Sequence, residues 1–202
     1  MKRLTVDIIF AAMMLLLAVA GPAYPQGEGR TTFTGTALIY GSGTNIRTVT
    51  RNFTLHVERL TTQNEADRLL RVLDDQGQTG LLNAMSNNDL GRFSLGGRVG
   101  EPLRAVIVDN QGGRQRVRAI FQRWIGFGEL RGGYRSVDYP FSYVEIVIDP
   151  RTGRGDGTFF PAARIRFKKA NSNRPDTVEI EDFGTFPGKL MGVSMHGRRL
   201  LG

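Results

Sequence analysis

The chain contains no cysteine. That excludes disulfides, thiolate metal sites, a cysteine nucleophile and a lipid-modified N-terminal cysteine. Histidine and tryptophan are nearly as scarce, with two and one among 202 residues. A histidine-rich metal centre therefore has few ligands to draw on. No P-loop, dinucleotide fingerprint or HExxH zinc helix occurs. The apolar run at residues 8–20 is short, about 13 residues where a membrane-spanning helix needs roughly 20.

The surroundings of that short run are informative. Lys2 and Arg3 precede it, Ala18-Val19-Ala20 has the small-x-small form that signal peptidase cleaves, and Gly21 follows. This pattern predicts a secretory signal peptide over residues 1–20. The mature protein is then expected in the periplasm or secreted, with no membrane span after cleavage. A cysteine-free exported chain of this length fits a bacterial source better than a eukaryotic one, where disulfides are usual. Residues 21–30, rich in Gly and Pro, read as a flexible lead-in. Residues 31–197 read as a single β-rich domain and residues 198–202 as a short basic and apolar tail.

The formal charge is +8, of which the signal segment carries a net +1 through Lys2, Arg3 and Asp7. A modest positive excess fits an anionic partner, but for a basic protein it more often serves solubility alone. Nucleic acid is not an expected partner for an exported chain, and no cofactor is expected.

Glycine separates short alternating runs, the pattern of an antiparallel β protein. Strands are predicted at 31–40 and 47–60, the second with Val49, Phe53, Leu55 and Val57 on one parity. The period then changes to helical. Thr61, Thr62 or Asn64 can cap a helix whose stripe is Ala66, Leu69, Leu70 and Leu73, and which Gly77 closes, with a further short helical turn at 80–86. Strands follow at 90–95, 103–109, 114–122, 141–149, 158–169, 177–183 and 189–196. The run at 103–109 is apolar on nearly every position and reads as a central strand. The expected fold is mainly β: an antiparallel barrel or sandwich meander of about nine strands, with one helix inserted after the second strand.

Most candidate motifs have structural readings. His56 and His196 fall on polar parities, with Met191, Val193 and Met195 taking the inward positions. Gly192-Val193-Ser194-Met195-His196 resembles a nucleophile elbow only superficially, since His stands where the second glycine belongs. The loop at 149–157 has too few carboxylates for calcium, and its glycines read as positive-φ turn residues. Arg164, Arg166 and Lys168 share one strand face. A hairpin closing at Ser172-Asn173 pairs Arg166 with Glu179 and Arg164 with Glu181, while Ile165 meets Ile180 and Phe167 meets Val178. Both faces agree on that register.

Two features point to binding. Arg114, Arg116 and Arg118 alternate along one strand, with Val117, Ala119 and Phe121 facing the other way. The preceding strand offers only Asp109 as an acid. Three cations about 7 Å apart can grip a polyanion or discourage edge-to-edge association. Residues 121–143 then combine Trp124, Phe127, Tyr134 and Tyr139 with Arg123, Arg131 and Arg135. Aromatic faces beside arginines stack sugars or bases, and they also plug the end of a barrel. The expected ligand-binding set is therefore Arg114, Arg116, Arg118, Arg123, Trp124, Phe127, Tyr134 and Tyr139.

The stretch 135–141 (RSVDYPF), the VEIVID strand after it, the GRGDGT loop and the late VEIEDF strand together resemble a group of exported bacterial proteins of unknown function. The resemblance implies an exported single domain and brings no activity, cofactor or catalytic residue. The function expected is a non-enzymatic binding or structural module of the cell envelope or secreted space, contacting an anionic or carbohydrate polymer. The alternatives are a carboxylate hydrolase using Asp138, Glu145 or Glu129, and a barrel holding a small apolar ligand.

Overall fold

A computed structural model describes residues 30–40, 48–123, 135–169, 177–183, 186–197 and 200. The fold is mainly β, with one antiparallel sheet curved into a half-barrel and one helix after the second strand. The strands are β1 (Thr31–Ile39), β2 (Val49–Val57), β3 (Gly91–Leu95), β4 (Glu101–Pro102), β5 (Ala105–Gln111), β6 (Arg114–Gln122), β7 (Phe141–Asp149), β8 (Arg154–Lys168), β9 (Thr177–Asp182) and β10 (Gly188–Gly197). They pair in the order β4-β3-β2-β1-β10-β8-β7-β6-β5, with β9 joined to β8. Two runs of sequence-consecutive antiparallel strands, β1 to β4 and β5 to β8, are thus linked through the last strand. β10 and β9 occupy one edge of β8 in succession, β10 along residues 154–159 and β9 along 163–168.

Alternation explains the core. Phe33, Phe53, Leu55, Val57, Phe93, Val117, Ala119, Phe121, Val144, Ile146, Ile148 and Phe159 are buried together on the inner face. The Phe93 ring lies 5.1–6.0 Å from those of Phe53, Phe121 and Phe159, within the range of favourable aromatic pairing.

The helix α1 (Gln63–Met85) starts at Thr62, whose hydroxyl accepts from the Glu65 N–H while the Glu65 carboxylate accepts from the Thr62 N–H. This reciprocal capping box satisfies two orphan donors. The two predicted helical pieces are one element kinked at Gly77, whose φ of 65° suits glycine. Leu69, Leu73, Leu81 and Met85 bury against Ala105, Phe141, Tyr143, Ala163 and Ile165, a second apolar cluster on the outer face of the sheet.

Three expectations need correction. The apolar run at 103–109 is not central: β5 ends the sheet order. It is apolar on both faces because Val106 joins the inner core and Ala105 meets the α1 cluster. Its outer edge is covered by Thr61, whose N–H donates to Val106 O and whose hydroxyl accepts from Val106 N–H, both at 2.8 Å. Met191 is not inward. A bulge with Gly192 at φ 60° resets the parity, so Leu190 and Val193 are buried while Met191 is 40% exposed. Finally, of the glycines at 153, 155 and 157 only Gly153 has positive φ. Gly155 and Gly157 lie inside β8, where a Cβ would come within 2.1 Å of Val147 O and 2.2 Å of Glu145 O. Close strand approach, not turn geometry, requires them.

Candidate functional site

The arginine strand became β6. Arg114 is exposed, Arg116 half-buried and Arg118 buried. Register explains the gradient. Arg118 faces Ile107 on β5 and Glu145 on β7, and its guanidinium donates to Asp109. Arg116 faces Asp109 and Val147. Glu145 also accepts the Tyr143 hydroxyl at 2.8 Å. Burial, with the Glu145 carboxylate beside it, pushes that hydroxyl well above the ordinary tyrosine range. Two polar pairs, Tyr143-Glu145 and Arg118-Asp109, thus lie next to each other across β6 and β7.

Trp124, Phe127, Tyr134 and Glu129 lie outside the described residues. The ends of the aromatic stretch are built into the fold. Arg123 donates from Nε to Tyr139 O at 2.7 Å and from Nη2 to Ser136 O at 2.6 Å, which ties β6 to the 3-10 turn at Arg135–Asp138. Tyr139 is buried, its hydroxyl donates to Glu181, and its ring packs edge-on against Phe183 at 5.1 Å. Tyr139 and Arg123 are therefore brought together, away from the arginines of mid-β6.

The predicted register of β8 and β9 holds at every pair: Arg164 faces Glu181, Ile165 Ile180, Arg166 Glu179 and Phe167 Val178. The ion pairs run diagonally instead, Arg166 to Glu181 at 3.4 Å and Lys168 to Glu179 at 2.8 Å. Arg164 turns to Asp138 at 3.3 Å. Long side chains reach the diagonal neighbour as easily as the opposite one.

Of the carboxylates considered for hydrolysis, Asp138 is thus paired with Arg164 beside β8, and Glu145 with Tyr143 on β7. No group of three or more metal-ligating side chains occurs among the described residues. Ser194 accepts from Arg154 Nη1, and Asp156 accepts the Gly192 N–H, so both ends of the Arg154-Gly155-Asp156 triplet serve the sheet. Among the described residues no helix is long and apolar enough to cross a membrane.

Two features emerge only from strand order. The first is the outer face of β3, β2, β1 and β10. Ser94, Thr54, Thr34 and Ser194 form one row across the four strands. Arg92, His56, Thr32 and His196 form the next, and Asn52 and Thr36 extend the grid. Thr32 Oγ1 hydrogen-bonds His56 Nδ1 at 2.9 Å, and Thr34 Oγ1 meets His196 Nε2 at 3.3 Å. The interior of this grid carries no fixed charge, with Arg92 on one flank and Arg154 on the other. Alternate threonines at 32, 34 and 36 were the sequence signal, but their neighbours come from residues 16 to 164 positions away.

The second is a cleft of about 530 Å³ where α1 passes the far end of β8. Leu73, Asp74 and Gln78 form one wall, and Ile165, Arg166 and Phe167 the other. Gln78 Nε2 donates to Asp138 O at 2.9 Å, while its buried Oε1 has no hydrogen-bond partner among the described residues. No known family model matches the chain, and comparison with curated proteins and with solved structures yields no match either.

Proposed function

We propose that this chain is an exported, non-catalytic binding module of the cell envelope or secreted space, and that the outer face of β3, β2, β1 and β10 meets an uncharged carbohydrate polymer. The observation that carries this reading is the grid of Ser94, Thr54, Thr34, Ser194, His56, Thr32 and His196. At strand spacing it covers roughly 14 Å across the strands and roughly 7 Å along them. Hydroxyls and imidazoles both donate and accept, as sugar hydroxyls do. Without a fixed charge in its interior, the face has no electrostatic preference for a polyanion. Just beyond β1, Tyr40 and Phe186 pack edge to face at 6.1 Å, and Phe186 is 58% exposed. Such a ring supplies the apolar surface on which a sugar face stacks. The burial of Arg118 on Asp109 favours this neutral face over the arginine strand as the contact.

Co-sedimentation with insoluble uncharged polysaccharides tests the reading, with a heparin-like polyanion as comparison. Retention on an uncharged polymer is expected to persist at high salt. It should be lost in Thr54→Lys, which places one bulky cation in the middle of the grid, while the thermal unfolding midpoint measured on the same variant separates lost contact from lost stability. Retention on the polyanion alone, falling steeply with salt, would move the contact to the arginines. No retention on any polymer ends the proposal.

A further inference from the structure

β8 outruns β7. Their pairing stops at Phe141 opposite Ala163, because the next residue back is Pro140, which has no N–H to donate, and the chain there turns to Arg123, whose N–H donates to Pro140 O. Among the described residues, 164–168 are consequently paired on one side only, by β9. The Phe183 N–H donates to Ala162 O at 2.9 Å. By antiparallel alternation residues 164, 166 and 168 direct their backbone groups to β9, and Ile165 and Phe167 direct theirs the other way, into the cleft under α1.

We propose that this free edge of β8 accepts an extended peptide as an added antiparallel strand, apolar at the positions that flank Ile165 and Phe167 and acidic opposite Arg166. Three observations converge. Among the described residues the edge leaves the N–H and C=O groups of Ile165 and Phe167 without a strand partner, within a five-residue stretch of roughly 16 Å. The cleft has room beside it, and Gln78 on its wall keeps an Oε1 with no hydrogen-bond partner among the described residues, an acceptor for an incoming N–H. The opposite edge already shows the side-chain code: β9 places Val178 and Ile180 beside Phe167 and Ile165, and Glu179 and Glu181 among the cations. A second copy of this chain is a poor occupant, since antiparallel pairing of β8 with itself sets Arg164, Arg166 and Lys168 against one another.

The probe is a blocked peptide copying residues 177–182, compared with a permutation of the same composition whose two apolar residues are adjacent. With the full-length protein, saturable binding is expected for the copy and at least ten-fold weaker binding for the permutation. Hydrogen exchange should slow at the Ile165 and Phe167 amides with no change at Arg164 and Arg166. Phe167→Pro removes the cleft-facing N–H and none that serves β9, and should weaken binding at least ten-fold beyond Phe167→Ala, which loses the same ring packing. The wild-type exchange pattern decides the matter even if that variant folds poorly. Equal binding of both peptides, altered exchange at Arg164 and Arg166 through displacement of β9, concentration-dependent self-association in place of peptide binding, or no binding at all would each overturn the proposal.

Discussion

The Arg164 guanidinium lies over the Tyr139 ring, 4.4 Å from its centroid. The same tyrosine donates its hydroxyl to Glu181 at 2.5 Å, and Arg164 reaches Asp138 on the turn just before it. Tyr139 thus anchors the end of the aromatic stretch to the β8–β9 hairpin. Tyr139→Phe should lose one charge-assisted hydrogen bond, about 1–2 kcal/mol, while Tyr139→Ala should cost about 3–5 kcal/mol as a large aromatic truncation. Arg164→Lys keeps the charge but loses the flat stacking surface and should fall below the phenylalanine variant in cost. Denaturant midpoints at constant m-value give all three.

The β8–β9 register makes a second, sharper prediction. Ile165 is buried against Ile180 and α1, so Ile165→Asp should be severely destabilising through an unpaired buried charge. Arg166 is about half exposed, so Arg166→Ala should cost little. In double-mutant cycles Arg166 should couple to Glu181, its diagonal partner, by less than about 1 kcal/mol, and to Glu179 hardly at all. A larger coupling to Glu179 than to Glu181 would show that the pairs run straight across.

That hairpin was legible because two faces of local sequence carry the same register: Arg164, Arg166, Glu179 and Glu181 on one, Ile165, Phe167, Val178 and Ile180 on the other. The capping box at Thr62 and Glu65 was within reach for the same reason, since its partners lie three residues apart. What escaped were relations set by long-range order. Nothing local places β10 between β1 and β8, so the row joining His56, Thr32 and His196 was invisible. Pro140 was readable as a strand breaker, yet its consequence, an open edge at 165 and 167, depends on how far β8 extends past β7. Arg118 alternates with Val117 and Ala119 like any outward residue; its burial follows from its neighbours Asp109, Glu145 and Tyr143.

The capping box carries a pH dependence. Burial opposes ionisation of Glu65, but the Thr62 N–H and the Arg59 guanidinium outweigh it and hold the carboxyl below its ordinary value of 4.5. A group whose folded pKa is depressed adds stability above its unfolded pKa. That contribution is lost as pH falls through the folded value. Wild-type stability should therefore decline from about pH 4.5 downward. Glu65→Gln should be less stable at neutral pH and should lose less on acidification. Thr62→Ala should cost about 1 kcal/mol at neutral pH by removing the reciprocal acceptor. Chemical denaturation across pH 3–7 checks both, and parallel curves for wild type and Glu65→Gln would exclude Glu65 as a source of the decline.

Arg118 separates binding from folding most directly. If the arginines of β6 were free to grip a polyanion, replacing them would leave stability intact. Arg118 is instead buried, donates to Asp109 and faces Glu145. Its stem is packed and its loss strands the Asp109 carboxylate. Asp109 keeps partial solvent contact, which moderates the penalty. Arg118→Ala should therefore cost about 1–3 kcal/mol, below the figure for breaking a fully buried pair, whereas Arg114→Ala at the exposed end of the strand should stay within about 0.5 kcal/mol of wild type. Arg118→Ala/Asp109→Ala should recover part of the loss, since the orphaned acid is gone. Thermal unfolding of the four proteins, with polymer retention measured in parallel, gives a clear outcome. A destabilised Arg118→Ala that keeps its retention assigns the residue to the fold. An undiminished melting point with lost retention assigns it to a ligand.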